Sequence, residues 1–190
     1  PRVAAFWMPR LERFLSWFAQ TEDARRGGKR VFSETSGSLV LDAPAGPFTL
    51  TARADRIDDD GSDIIITDYK TGSLPQPGWV KSGRAPQLPL EAAIALGESS
   101  FPSLQGRGLA GLRFIRASGG EPAGEEKNID SDLPALAASA RAGLESLVAD
   151  FDNATTPYRA IRRPRYRYDY DAYAHLARVA EWSAHVDEEL

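Results

Sequence analysis

The sequence places an aspartate and a lysine at the end of an apolar strand. Residues 63–70 read Asp-Ile-Ile-Ile-Thr-Asp-Tyr-Lys, and because side chains alternate across a strand, Asp68 and Lys70 share a face with Ile64 and Ile66. That face changes from apolar to charged at its end. Such a strand end is typical of a rigid platform for a site at the rim of a core. A lone Asp-X-Lys is also common as a solvated ion pair.

A second carboxylate, Asp55, lies on the preceding β segment. If Asp60-Gly61 forms the centre of the hairpin turn, Asp55 lies opposite Ile66 and diagonal to Asp68. We therefore expect the two carboxylates to lie about 7–8 Å apart, on the face that carries Lys70. A register shift of one residue would turn Asp55 to the other face.

Neighbouring carboxylates repel each other unless a proton or a cation lies between them. The chain has no cysteine and only two histidines, His175 and His185. Iron–sulfur clusters and thiolate zinc sites are therefore excluded, and Mg²⁺, with Mn²⁺ as a substitute, is the expected cation. The Lys70 ammonium would then hold an attacking water or neutralise charge on the phosphate. These groups predict metal-assisted hydrolysis of a phosphodiester.

Composition limits the class of protein. The 23 basic and 27 acidic residues give a net charge of −4, so a polyanion would need a local basic patch. Apolar residues make up 42% of the chain, and no apolar run approaches the roughly 20 residues of a membrane helix. We expect a soluble protein without a membrane partner. The start at Pro1, without a signal peptide, favours a C-terminal fragment of a longer protein.

Hydrophobic periodicity predicts the elements that position these groups. We expect one α/β domain over residues 1–190, in which a central mixed sheet with an antiparallel meander is flanked by helices. Its parts are an N-terminal helix (1–28), a sheet core with the helix of Gln87 (29–117), and C-terminal helices (131–190) that include an arginine-rich segment (159–167). The finer expectations are β segments at 30–34, 38–41, 48–57, 63–70 and 109–117, turns at 35–37 and 58–62, loops at 72–86 and 119–130, and helices at 87–96, 131–151 and 169–186.

Three motifs in this order resemble a known nuclease family. They are Ala54-Asp55-Arg56-Ile57-Asp58, then Ile65-Ile66-Thr67-Asp68-Tyr69-Lys70-Thr71-Gly72 after a turn, and Gln87-Leu88 after a loop. This pattern resembles the PD-(D/E)XK nuclease superfamily of the RecB type. Within it, the chain is most similar to the C-terminal nuclease domain of AddB in AddAB helicase–nucleases, in the cysteine-free alphaproteobacterial form.

The resemblance implies a restriction-endonuclease-like core in which Asp55 and Asp68 ligate Mg²⁺. The carbonyl of Tyr69 would complete the metal shell, Lys70 would serve the water or the transition state, and Gln87 would steady the site or the scissile strand. The implied activity is a DNA exonuclease of the bacterial cytoplasm, which processes linear ends for recombinational repair. An AddA-like helicase–nuclease subunit would feed it a single strand.

Three features depart from the family pattern or extend it: two glutamates and a missing histidine. Glu91 stands where the family has a tyrosine four residues after the glutamine, and is either an acid near the metal or an ordinary surface residue. Glu34, in the first β segment, either reaches the site or is an exposed edge residue. No histidine precedes that segment, so the site lacks one family ligand unless a helix upstream of Pro1 supplies it.

Basic residues offer candidate DNA contacts. The arginine-rich segment, interleaved with tyrosines, would track a DNA backbone or pair with the acidic segments of the protein. His175 is expected on a helix surface. The candidates are Arg53, Arg56, Lys81, Arg162, Arg163, Arg165 and Arg167.

Two alternatives to a helicase-fed exonuclease stay open. One is a catalytically inactive nuclease-fold scaffold that docks a helicase subunit or guides DNA. The other is a stand-alone exonuclease akin to those associated with CRISPR systems, which the signs of truncation make less favoured.

Overall fold

The computed structural model describes residues 2–98 and 100–158, and it has the predicted α/β architecture of a mixed sheet flanked by helices. Helices lie against both faces of a five-stranded sheet. The helices are α1 (Arg2–Arg26), α2 (Pro77–Lys81), α3 (Gln87–Ala95) and α4 (Leu133–Asp152). The strands are β1 (Arg30–Leu41), β2 (Phe48–Asp59), β3 (Asp63–Lys70), β4 (Gly108–Ala117) and β5 (Gly124–Asn128).

The strands lie in the order β1-β2-β3-β4-β5. The first three form the expected antiparallel meander, β3 and β4 are parallel, and β5 is antiparallel to β4. Because parallel neighbours need a crossover, the chain passes through α2 and α3 between β3 and β4. This crossover carries α3 past the end of β3.

The β2–β3 hairpin differs from the predicted register by two residues. Ile57, not Asp55, lies opposite Ile66. The turn is centred on Gly61, whose φ of +100° suits glycine, and the Asp60 carboxylate accepts hydrogen bonds from the backbone N–H groups that follow. A shift of two residues preserves the face of every side chain. Continued by one pair beyond Arg56 and Thr67, this register sets Asp55 directly opposite Asp68.

The predicted turn at residues 35–37 is absent, because β1 runs unbroken through it. Gly37 lies within the strand, where its lack of a side chain allows close packing and does not form a turn. A Cβ at this position would lie 2.6 Å from the Phe101 ring and 2.9 Å from Ile94. Glycine in the middle of a strand here marks a close approach of α3 and its following loop to the sheet.

Two predicted loops contain short regular elements. The segment 119–130, expected to be a hairpin tip or a surface loop, includes β5, which pairs antiparallel with β4. Its sequence Gly-Glu-Glu-Lys-Asn lacks an apolar alternation because it is a charged edge strand. The expected loop at 72–86 includes the single helical turn of α2. Both elements are too short to produce a periodic signal.

The core lies between the sheet and the helices α3 and α4. It contains Ile57, Ile64, Ile66, Leu88, Ile94, Phe101, Leu112 and Leu136, all buried. Helix α4, predicted at 131–151, is capped by Asp132, whose Oδ1 accepts a hydrogen bond from the backbone N–H of Ala135. The buried face of α3 therefore ties Gln87, its first residue, to a rigid core.

Helix α1, predicted at 1–28, ends at Arg26, and its apolar side chains are only partly covered. Phe14, Trp17 and Phe18 pack inward, and Phe18 contacts the Tyr69 ring. Other large apolar side chains of α1 are about half exposed: Phe6, Trp7, Leu11 and Leu15.

The chain divides into one unit that ends at Asp152 and a second that begins at Asn153. Of the second, residues 153–158 are described, where Asn153 Oδ1 accepts a hydrogen bond from the backbone N–H of Thr155. The arginine-rich segment 159–167 and the predicted helix 169–186 lie outside the described residues, so one domain over residues 1–190 stays a prediction. No helix within the described ranges is both long and apolar enough to span a membrane.

Candidate active site

Asp55 and Asp68 converge at the centre of the sheet, where β2 and β3 lie side by side. The Asp55 Oδ2 accepts a hydrogen bond of 2.9 Å from the backbone N–H of Tyr69. This bond fastens the Asp55 carboxylate to β3 next to Asp68. Both carboxylates lie on the face of the sheet that α3 covers.

Lys70 joins this strand end to α3. Its Nζ lies 2.8 Å from Asp68 Oδ1 and 2.9 Å from Gln87 Oε1. The Gln87 Nε2 in turn donates to Glu91 Oε1 over 3.3 Å, one helical turn along α3. Asp55, Asp68, Lys70, Gln87 and Glu91 therefore form one connected cluster, which we call the site face.

The site face holds more acidic than basic groups in a desolvated setting. Asp68 is 2% exposed and Glu91 is 3% exposed. Burial raises the pKa of the Asp68 carboxyl, Lys70 offsets part of this, and repulsion from Asp55 adds to it. Burial, with repulsion from Asp68 and Asp55, raises the pKa of Glu91 to about 7. An added cation would relieve this repulsion.

The donor set fits a divalent cation of the magnesium type. Lys70 Nζ is 2.8 Å from both oxygens of Asp68, but the geometry of a hydrogen bond is met only at Oδ1. Asp68 Oδ2 and Glu91 Oε2 are thus buried acceptors without a hydrogen bond. Over residues 2–98 and 100–158, no group of three His, Cys, Asp or Glu side chains could hold an ion. Mg²⁺ is commonly bound by one or two carboxylates with water and phosphate oxygens, as two aspartates here would allow.

Two residues whose place the sequence left open are now located. Glu91 is buried within the site face, so it is not an ordinary surface residue. Glu34 lies at the level of Asp55 in the β1–β2 register, but its carboxylate is 2.9 Å from Arg53 Nε, and both side chains are more than half exposed. Glu34 is therefore an exposed edge residue, paired with Arg53 and not with the site face.

The expectation that Arg56 contacts DNA is wrong in this structure, because Arg56 is 4% exposed. Its guanidinium bonds twice to Asp58 Oδ1 and once to Glu22 Oε2 of α1. It lies on the opposite face of the sheet from Asp55. Of the other candidates, Arg53 and Lys81 are exposed, whereas Arg162, Arg163, Arg165 and Arg167 lie outside the described residues.

Sequence reasoning missed this second cluster, which we call the back face. The charges of Arg56 and Asp58, which share a face of β2, were its only local sign, because its other members come from distant segments. Arg25 bonds to Glu22 and Glu126, and Arg113 lies 3.3 Å from Glu126. The back face comprises Glu22, Arg25, Arg56, Asp58, Arg113 and Glu126.

Comparison with known proteins agrees with this architecture. The family model of the PD-(D/E)XK nuclease superfamily matches residues 3–168, and the chain belongs to that superfamily. Its members are metal-dependent phosphodiesterases and nucleases that typically use Mg²⁺.

Among individual proteins, the chain is similar to uncharacterized proteins of Rickettsia. It is 32% identical over 97 residues to RC0550 of Rickettsia conorii, and the aligned segment covers 50% of this chain and 12% of that protein. It is 29% identical over 116 residues to RT0391 of Rickettsia typhi, and the aligned segment covers 58% of this chain and 13% of that protein. The chain therefore spans about an eighth of the length of these relatives.

One solved structure, the crystal structure of SSO0001, is a weaker match. It has a TM-score of 0.37 and 14% identity, and the match covers 69% of this chain and 55% of that one.

Proposed function

We propose that the chain is a magnesium-dependent deoxyribonuclease domain that hydrolyses phosphodiester bonds. One observation carries the proposal. Two aspartates from adjacent strands converge where the Lys70 ammonium lies within 2.9 Å of Asp68 and Gln87. Membership of the PD-(D/E)XK nuclease superfamily, whose family model matches residues 3–168, adds support.

In this proposal Asp55 and Asp68 hold the cation, together with the carbonyl oxygen of Tyr69. When bound, Mg²⁺ supplies Lewis-acid stabilisation of the charge on the phosphate. The hydrogen bond from the Tyr69 N–H orients Asp55, and the buried setting of Asp68 keeps competing water away.

Lys70 acts on the reacting groups. Held by Gln87, its ammonium positions the attacking water and stabilises negative charge on the phosphate oxygens. The water oxygen bonds to phosphorus as one ester P–O bond breaks, and a proton from the water ends on the leaving oxygen. The products are a phosphate monoester and an alcohol.

The finer role that we propose is an exonuclease that processes DNA ends for recombinational repair, as part of a helicase–nuclease complex with an AddA-like subunit. The motif resemblance alone supports this role. The Rickettsia relatives are about eight times longer than the match, which is compatible with further domains but names none.

The proposal is tested by hydrolysis of linear DNA in Mg²⁺ by this chain and its variants. We expect Asp68→Ala and Lys70→Ala to lose activity, whereas Asp23→Ala, an exposed aspartate of α1, should keep it. Equal activity in all three variants would exclude the site face as the catalytic centre. Loss of activity in Asp23→Ala as well would mean that the measured activity does not report on this site.

A second candidate is the catalytically inactive scaffold. It is favoured by the lack of a three-carboxylate or histidine-containing metal group in the described part of the chain. Isothermal titration with Mg²⁺ or Mn²⁺ separates the two functions. The nuclease requires metal uptake that is lost in Asp55→Ala and retained in Asp23→Ala, whereas the scaffold requires no uptake.

A further inference from the structure

The segment between β3 and α3 is a loop whose two ends meet at the site face. It runs over residues 71–86, and the residues that flank it, Lys70 and Gln87, are joined by a hydrogen bond of 2.9 Å. The backbone N–H of Ala85, two residues before Gln87, donates to the Trp79 carbonyl over 3.0 Å. The middle of the loop therefore folds back beside the end that meets Gln87 and the site face.

The loop is anchored at defined points. Val80, in α2, is 3% exposed and belongs to the core, and Leu74 packs against that core. The backbone N–H of Trp79 donates to the Gln76 carbonyl over 2.9 Å. Trp79, next to Val80, is therefore held on a fixed turn of backbone, as a recognition residue requires.

Trp79 forms a stacked pair with Arg84. The guanidinium carbon of Arg84 lies 4.1 Å from the centroid of the Trp79 ring. The backbone N–H of Arg84 donates a hydrogen bond to the Trp79 carbonyl over 2.8 Å. This cation–π contact orients the indole. Even so, 37% of Trp79 is exposed, a large fraction for an anchored tryptophan.

The charge of the loop is opposite to that of the protein. Residues 71–86 contain Lys81 and Arg84 and no acidic residue, whereas the chain carries −4. A local basic patch is what a polyanion requires on a protein of negative net charge. An aromatic ring with basic neighbours is the usual platform for single-stranded nucleic acid, because every base has a face that can stack.

We propose that Trp79 stacks on an unpaired nucleobase of the DNA strand that enters the site face, while Lys81 and Arg84 contact its phosphates. The substrate class rests on the proposed nuclease function. A base within a duplex is already stacked on its neighbours, so the platform selects single strands. Trp79 is thus a specificity residue of the entering strand, separate from the residues that act on the phosphate.

Binding of a fluorescein-labelled oligothymidylate, measured by anisotropy in EDTA, tests this inference without hydrolysis. We expect Trp79→Ala to weaken binding about tenfold and Trp79→Phe, which keeps a stacking ring, to bind within about threefold of the unaltered chain. Trp7→Ala is the matched control, since Trp7 is an exposed tryptophan of α1. It should bind the strand normally.

The inference is overturned if Trp79→Ala binds normally, if Trp7→Ala loses as much, or if the unaltered chain does not bind the strand. It is also overturned if Trp79→Ala weakens binding of a blunt duplex equally, because a stacking platform requires an unpaired base. Hydrolysis is read separately. If Asp68→Ala cleaves DNA normally while Trp79→Ala loses binding, the nuclease proposal fails and the strand-binding inference stands. If Asp68→Ala is inactive and Trp79→Ala binds normally, only the inference fails.

Discussion

Asp55 and Arg56 are neighbours in β2, but their side chains enter opposite faces of the sheet and different electrostatic environments. The site face contains three carboxylates and one ammonium, and burial raises the pKa of Asp68 and Glu91. The back face contains three carboxylates and three guanidinium groups. There, burial alone would raise the pKa of Glu22, but hydrogen bonds and attraction from Arg56 and Arg25 lower it.

The two faces differ in how their charges are balanced. Both contain buried charged groups, so burial alone does not identify a site. On the back face each acid is close to a guanidinium, and even the second oxygen of Asp58 lies 3.9 Å from Arg113. On the site face, Glu91 instead faces two other carboxylates. An imbalance of buried charge is relieved by a proton or a cation, and clusters of this kind are concentrated at functional sites.

The largest expected effect is on catalysis. Asp68→Asn should reduce the rate of DNA hydrolysis in Mg²⁺ by on the order of a thousandfold, because several kcal/mol of metal-assisted stabilisation is lost. Its thermal midpoint in EDTA should not fall, since the substitution removes a buried charge from a repulsive cluster. Single-turnover hydrolysis and thermal melts check both parts. A lower midpoint with undiminished hydrolysis would reverse the assignment of the two faces.

The next effect is on folding. Asp58→Ala should lower the free energy of unfolding by about 3 kcal/mol, because it leaves Arg56 buried without its nearest carboxylate. Urea denaturation measures the loss. Asp23→Ala, a change at an exposed aspartate of α1, serves as control and should stay within about 0.5 kcal/mol. If both variants unfold alike, the back face does not stabilise the fold.

A pH-dependent effect is expected at Glu91. Its folded pKa of about 7 lies above the ordinary 4.5, so the folded state binds the proton more tightly and its stability falls as the pH rises from about 4.5 to 7. Glu91→Gln should remove this loss. In EDTA, the variant should gain up to about 3 kcal/mol at pH 8 and nothing at pH 4. Urea titrations at both pH values measure it, and an equal gain at each would show that Glu91 does not titrate in this range.

The smallest effect is at Glu22, with the opposite slope. Because its folded pKa is lowered, its contribution is present above the ordinary value of 4.5 and is lost as the pH falls through the folded pKa. Glu22→Gln should cost on the order of 1 kcal/mol at pH 7 and less at pH 3. Urea titrations at both pH values compare Glu22→Gln with Glu91→Gln. Slopes of equal sign would contradict the contrast between the faces.

Much of the fold followed from local patterns. The alternation of Ile64, Ile66, Asp68 and Lys70 located β3 and its charged end, and hydrophobic periodicity located α4, predicted at 131–151. Elements without a local signal were missed. The charged strand β5 has no apolar alternation, and Gly37, which resembles a turn residue, is a contact point for Phe101.

The sequence predicted the residues of the candidate site more closely than it predicted their arrangement. Asp55 was expected diagonal to Asp68, but the Asp60 carboxylate centres the turn one residue later, so Asp55 comes opposite. For Glu91 the sequence left two roles open, an acid near the metal or an ordinary surface residue. Its burial depends on how α3 packs across the sheet, which one turn of helix does not reveal.

The sequence by itself determined which side chains share a face, because a strand has a period of two and a shift of two residues preserves it. The sequence therefore predicted that Asp55, Asp68 and Lys70 lie on one face of the sheet. Only the tertiary structure decided which charges are balanced. Glu22 lies 34 residues from Arg56, and Glu91 lies 23 residues from Asp68. Pairing over such distances depends on how helices pack on the sheet, which no local pattern records.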